Sequence, residues 1–293
     1  MANLNQKYLF IFITVFLLLL SLSQSYGLSS QTDVSNERIK IASFNIQVFG
    51  KSKASKPNVI KVLAAITTEF DMVAIQEIRD KTGIAVKILR LAIESLGKDY
   101  KYIIGPRLGR TKSREQYLYI YDTRTIEMIG SYTHNDISDE FHRQPFVAYF
   151  KARNGNFDFL LINIHTDPDE ATKEIRALPK VITYAQELFG EDDIILLGDF
   201  NSDCGYFEES TYEIIFPADK YGWLIKNNED TTVKGTNCTY DRIVITASAN
   251  EDYAGSSSVY VFDAAFDLTE KQASKVSDHY PVWAEFYIDK DND

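Results

Sequence analysis

The stretch IILLGDFNSDC, Ile194 to Cys204, begins as an apolar strand and changes character at Gly198. Four apolar residues give way to a glycine, an acid, a phenylalanine and an amide. Strand side chains alternate between faces, so Asp199 and Asn201, two positions apart, point the same way if the chain stays extended. Two oxygen-bearing side chains at the end of a buried strand mark the start of a polar site.

The same vocabulary recurs along the chain. IASFNI carries Asn45, VAIQEIRD carries Gln76, Glu77 and Arg79, and LLINIHTDP carries Asn163 and His165. TYDRIVI begins with Asp241, and SDHYPV brings Asp278 and His279 to the mouth of the last strand. Polar groups on loops held by a rigid sheet are where binding and catalytic residues concentrate.

Nine strands are predicted from runs rich in Ile, Val, Phe and Tyr: IKIASFNI, DMVAIQEI, YKYIIG, QYLYIYD, FVAYFKA, FDFLLINIHT, DDIILLGDF, DRIVITA and PVWAEFYI. Helical stretches lie between them: NVIKVLAAITTEF after Pro57, GIAVKILRLAIESLG ending at Gly97, and DEATKEIRALPKVITYAQELFG ending at Gly190. Pro179 is expected to kink or divide the third. Strands outnumber helices and both recur throughout, which predicts an α/β architecture with two sheets between helical layers.

Residues 1–27 read as a secretory signal peptide, with Lys7 before the apolar core YLFIFITVFLLLLSL and small residues in SQSYG suited to cleavage. The core is shorter than the roughly 20 residues of a spanning helix; a retained anchor is the alternative. Residues 28–293 then form one domain, since no linker, repeat or low-complexity tract divides them. Cys204 and Cys238 are the only cysteines, and in an oxidising compartment they are expected to form one disulfide, two free thiols being the alternative. The net charge of -11 argues against a broad basic platform for nucleic acid. A phosphate ligand would have to be held locally, by a few arginines and a metal.

Carboxylate and amide oxygens suit a hard ion such as Mg(II), which takes one or two carboxylates and keeps waters and substrate oxygens. Glu77 fits that sparse design. His165 and His279 would supply acid and base chemistry near neutral pH if each is oriented by a carboxylate. Taken singly, an Asp at a strand end is a turn residue or cap, a buried His a satisfied core residue, and Glu115 in SREQYLYIY a surface acid.

Taken together, ASFNIQVFG, VAIQEIRD, GRTKSREQYLYIYD, NIHTDP, LLGDFNSDC, TNCTYDRIV and SDHYPV resemble the deoxyribonuclease I family, within the superfamily of metal-dependent endonucleases, exonucleases and phosphatases. The resemblance runs over nearly the whole chain after residue 38. It implies a four-layer sandwich of two packed mixed β-sheets flanked by helices. It also implies that Asn45 and Glu77 bind a catalytic Mg(II) or Mn(II), with Asp199, Asn201 and Asp278 around the metal and scissile phosphate. His165 would pair with Glu115 and His279 with Asp241. Arg79 and Arg143, the latter in FHRQP, would contact DNA phosphates, and Cys204 and Cys238 match the family's structural disulfide.

Asp230, Thr232 and Thr236 match a structural Ca(II) loop, although Lys234 stands where a small polar residue is usual. Ser113 replaces a groove-packing Tyr, and YTHNDISDEFHRQP is shorter than in pancreatic-type enzymes. The activity so implied is secreted, extracellular, weakly selective cleavage of double-stranded DNA to 5'-phosphate and 3'-hydroxyl ends, by a monomer without stable membrane association. Tyr102 and Ile104 fall where an actin-contacting strand would lie, which leaves actin as an undecided partner. The competing readings are a sphingomyelinase or inositol-phosphate phosphatase of the same superfamily, and an inert secreted actin- or nucleic-acid-binding homologue. REQYLYIYD, Arg143 and the cysteine pair favour the nuclease over the first, and retention of Glu77, His165, Asp199 and His279 favours it over the second.

Overall fold

The computed structural model describes residues 37–292; the signal-peptide reading of residues 1–27 lies outside them. Twelve strands among the described residues form two six-stranded sheets. The first contains β1 (Arg38–Phe49), β2 (Met72–Ile78), β3 (Tyr100–Ile104), β4 (Gln116–Asp122), β11 (Tyr253–Val259) and β12 (Val282–Tyr287). The second contains β5 (Ile126–Thr133), β6 (Phe146–Ala152), β7 (Asp158–His165), β8 (Ile194–Asp199), β9 (Tyr221–Trp223) and β10 (Asp241–Thr246). Their spatial orders are β11-β12-β1-β2-β4-β3 and β5-β6-β7-β8-β10-β9.

The α-helices of the described residues are α1 (Lys51–Ala54), α2 (Pro57–Thr67), α3 (Ile84–Glu94), α4 (Ala171–Phe189), α5 (Tyr212–Ile215), α6 (Ala249–Asp252), α7 (Phe262–Ala265) and α8 (Glu270–Val276). Apolar faces account for the layering. Ile39, Met72 and Tyr119 of one sheet pack with Phe159, Leu197 and Ile243 of the other in one buried cluster. The outer face of the first sheet is covered chiefly by α1, α2, α3 and α8, and the outer face of the second by α4. The expected four-layer α/β sandwich is what the chain adopts. Helix α4 runs unbroken through Pro179, so the expected division does not occur. It ends where Gly190 takes a left-handed conformation at φ 69. No helix among the described residues is long and apolar enough to cross a membrane.

Each sheet has one parallel pair at its centre, β1–β2 and β7–β8. The carboxyl ends of these four strands lie at the same end of the sandwich, joined by hydrogen bonds between the sheets: Asn45 to Asp199 at 2.9 Å and Gln76 to Asn163 at 2.8 Å. Gly198 explains the opening stretch. It has φ +148, and a Cβ there would stand 1.8 Å from the carbonyl oxygen of Ile164 on β7. Only glycine lets β7 and β8 pair closely enough to bring His165 opposite Asp199.

Candidate active site

The two histidines are held in matching ways. His165, the last residue of β7, has Nδ1 2.6 Å from Glu115 Oε1, just before β4. His279, just before β12, has Nδ1 2.7 Å from Asp241 Oδ2 at the start of β10. Each pair crosses the sandwich, since its histidine and its carboxylate belong to opposite sheets. With Nδ1 engaged by a carboxylate, Nε2 faces the reaction space. Both Nε2 atoms point at one oxygen, Asp199 Oδ2, at 3.5 Å from His165 and 3.6 Å from His279.

The surroundings of the pairs differ. Glu115 is buried and flanked by two arginines, with Arg143 Nε 3.3 Å from Oε1 and Arg79 Nη2 3.2 Å from Oε2. Burial pushes its carboxyl up, but His165, Arg143 and Arg79 outweigh that and hold it at about 2. Around His279, burial disfavours the imidazolium, but Asp241, Asp199 and Asp278 prevail and raise its pKa to about 10. For His165, burial and Arg143 act downward while Glu115 and Asp199 act upward, and the balance is raised.

The oxygens for a hard cation lie beside these pairs. Asn45 Nδ2 donates to both Glu77 Oε1, at 3.3 Å, and Asp199 Oδ2, at 2.9 Å, so one amide nitrogen stands between two carboxylates from opposite sheets. Asp199, Asp241 and His279 also converge within 4.8 Å, but the last two are bonded to each other. Two such carboxylates bridged by a single donor fit a divalent ion that takes one or two protein carboxylates. Glu77 has φ 64, and its other oxygen accepts from Val48 N at 2.7 Å, which fixes the carboxylate rigidly.

The remaining expected residues take more specific places. Asp278 Oδ2 accepts from Gln47 Nε2 at 2.7 Å, which ties it to the rim. Asn201 lies past the end of β8 with φ 47, so the extended-chain alignment with Asp199 does not hold. Instead its backbone N–H caps Asp199 Oδ1 at 3.1 Å and its side chain donates to Thr166 O. Arg79 spans Glu77, Glu115 and Ser113. Arg143 is buried and donates to the carbonyls of His165 and Thr166 at 2.8 Å each. Both arginines, expected on phosphate, are thus engaged within the protein.

Cys204 and Cys238 form the expected disulfide. In the loop it closes, Asp230 Oδ1 accepts from Thr232 N, and Thr232 Oγ1 lies between two acceptors, 2.7 Å from Asp230 Oδ1 and 2.6 Å from Thr236 O. The same loop braces the second histidine pair: Val233 N donates to Asp278 O, Tyr280 N to Thr231 O, and Asp241 N to Thr231 Oγ1.

Sequence reasoning misses Lys53, Ser277 and Glu174. Lys53 is buried, with Nζ donating to the carbonyls of Ile46, Gln47 and Val276, and burial lowers its pKa to about 8. Ser277 Oγ donates to Asn45 O and accepts from His279 N, so one hydroxyl links Asn45 to the histidine side. Glu174 is fully buried behind Arg143, with its carboxyl raised to about 7 by burial. The first turn of an amphipathic helix gives no sign of that burial.

The sandwich thus carries two cross-sheet histidine–carboxylate pairs at one end. The chain matches the Endonuclease/Exonuclease/phosphatase family over residues 42–279. Bovine deoxyribonuclease-1 is 34% identical over 255 residues, which cover 83% of this chain and 90% of that protein. Human deoxyribonuclease gamma is 35% identical over 260 residues, covering 83% and 84%. Among solved structures, an endonuclease/exonuclease/phosphatase from Bacteroides vulgatus superposes with a TM-score of 0.61 at 17% identity, covering 85% of this chain and 98% of that one. The chain belongs to the deoxyribonuclease I family within the larger endonuclease/exonuclease/phosphatase family, and it is an enzyme of that type.

Proposed function

We propose that this protein is an exported, divalent-metal-dependent endonuclease that cuts double-stranded DNA with little sequence selectivity, leaving 5'-phosphate and 3'-hydroxyl ends. The observation that carries the reading is the aim of two carboxylate-held imidazoles at one oxygen of Asp199. That oxygen marks where a scissile phosphate would sit between a proton acceptor and a proton donor.

In this reading His279, oriented by Asp241, takes the proton of the attacking water. His165, oriented by Glu115, protonates the departing 3' oxygen. Asp241, Asp199 and Asp278 all favour the protonated form of His279, so its service as base requires a cation beside those carboxylates to offset them, whereas Arg143 already opposes protonation of His165. Glu77 and Asp199 would hold Mg(II) or Mn(II), with Asn45, Asn201 and Asp278 around them, and the ion would supply charge stabilisation at the phosphate oxygens. Asn45 and Asn201 orient the carboxylates. Arg79 and Arg143 act chiefly by fixing Glu115 and the His165–Thr166 backbone. Asp230, Thr232 and Thr236 form the candidate Ca(II) loop, and residues 28–293 are the mature, monomeric catalytic domain after removal of 1–27.

The test is incubation of the purified, disulfide-intact protein with supercoiled plasmid and Mg(II) plus Ca(II). Nicked circles that vanish with chelator and with His165→Ala are expected. A folded, metal-binding protein that leaves plasmid intact but hydrolyses small phosphodiesters overturns the DNA assignment.

A further inference from the structure

We propose that a lysine face on α1, the start of α2 and α8 is a track for the DNA backbone beyond the scissile phosphate; this rests on the nuclease reading above. The structure raises the need for it, because Arg79 and Arg143 are occupied by Glu77, Glu115 and backbone carbonyls. A duplex must then be held by cations not already neutralised within the protein.

Residues 51–61 carry Lys51, Lys53, Lys56 and Lys61 with no acid among them, and residues 271–276 add Lys271 and Lys275, again with none. This occurs in a chain with 42 acidic and 31 basic residues. The fold joins the two segments: buried Lys53 on α1 donates to Val276 O at the end of α8 at 2.9 Å. Lys56 and Lys275 line a single open groove of about 450 Å³, together with Pro57, Asn58 and Gln272. Lys51, Lys56 and Lys275 are exposed, and none forms an ion pair among the described residues, whereas exposed Arg110 and Lys180 are bonded to acids.

The face abuts the site. Lys53 Nζ donates to Gln47 O at 2.6 Å, and the Gln47 side chain holds Asp278. Lys275 is three residues from Asp278, so their Cα atoms are within about 11 Å. Phosphates following the one at Asp199 would therefore meet ammonium groups that are flexible and hydrated, suited to holding a backbone without reading bases. An acidic protein thereby keeps a basic path where it is needed.

The experiment compares two triple variants with the same charge change. Lys51→Gln/Lys56→Gln/Lys275→Gln removes the face. Lys98→Gln/Lys151→Gln/Lys220→Gln removes three lysines at the opposite ends of the sheets, near Asp122, Asp158 and Thr246. On long duplex DNA the first variant is expected to raise KM about tenfold with kcat within about twofold. Its plot of log kcat/KM against log salt should flatten by about 2 to 3, near one unit for each phosphate no longer held. Cleavage of a small chromogenic phosphodiester should be unchanged, as should all readouts of the second variant. Equal flattening in both variants, or none in either, overturns the track while leaving the nuclease intact. Reduced binding to anionic phosphatidylserine vesicles with an unmoved DNA slope would overturn it in favour of a membrane surface. A wild-type protein that cuts no duplex overturns the parent reading and this one with it.

Discussion

The two histidine pairs share a geometry and differ in what stabilises it. His165–Glu115 is set in buried charge, with Arg143 and Arg79 packed on the carboxylate. Among the described residues His279–Asp241 has no arginine on its carboxylate; it is braced by a disulfide-closed loop through Thr231 and Val233. Similar distances therefore conceal unequal electrostatics. A neighbouring guanidinium opposes protonation of His165, while three carboxylates favour it at His279.

The largest effect should come from the histidines themselves. His165→Ala and His279→Ala are each expected to lower plasmid nicking by roughly 10²–10⁴-fold. Only His165→Ala should be rescued on a diester with an activated leaving group such as nitrophenolate, since only the general acid becomes dispensable. Rescue of His279→Ala instead would reverse the roles.

Next in size is Arg143→Met, which leaves Glu115 buried with less compensation and is expected to destabilise the fold by about 3–5 kcal/mol. Glu115 has a folded pKa of about 2, below its ordinary value, so its stabilising contribution is present above about pH 4.5 and declines as pH falls toward 2. The gap between wild type and variant in urea melts should therefore narrow as pH falls toward 2, leaving the part due to the lost bonds to the His165 and Thr166 carbonyls. A gap of constant size across that range would remove Glu115 as the cause of the pH-dependent part.

The other pair should respond to its own support. Cys204→Ser/Cys238→Ser is expected to destabilise by about 2–4 kcal/mol and to expose residues 230–238 to protease, with Arg143→Met leaving that loop resistant. Both changes loosening the same loop would erase the contrast between the pairs.

Glu174→Gln tests the charge behind Arg143. The folded pKa of about 7 lies above the ordinary carboxyl value, so the stability from its proton is complete below about pH 4.5 and declines as pH rises through 7. The variant should match wild type at pH 4.5 and be more stable at pH 8, by about 3 kcal/mol in urea melts. Equal stability at both values would mean that the carboxyl ionises without cost in the fold. The smallest effect expected is a rise of a few degrees in Tm with Ca(II), abolished by Asp230→Ala; no shift would exclude the loop as a Ca(II) site.

The central strands are legible in sequence because they are buried on both faces and read as continuous apolar runs. The three strands that sequence reading misses, β5, β9 and β11, all lie at sheet edges. There one side meets solvent and sequences such as YAGSSSV lose the apolar signature. β3 is also an edge strand but keeps Tyr100, Tyr102 and two isoleucines, and its run remains readable. In the site, residues at strand ends are readable because the strands themselves are. Asn201 is the exception, because a left-handed turn interrupts the alternation that its spacing implies. Lys53 and Glu174 are invisible because their burial comes from contacts far along the chain, and Lys–Ser–Lys or a first-turn Glu reads locally as surface.

Gly198 gives the sandwich a threshold. The spacing of His165 from Asp199 depends on a methyl group that is missing between β7 and β8, with 1.8 Å in which to place one. Mutational tolerance at this position should behave as a step and not a gradient. Alanine, the mildest change on paper, already meets the Ile164 carbonyl, so it should be nearly as damaging as leucine, and enlarging the neighbouring side chains or trimming them offers no repair because the obstacle is backbone.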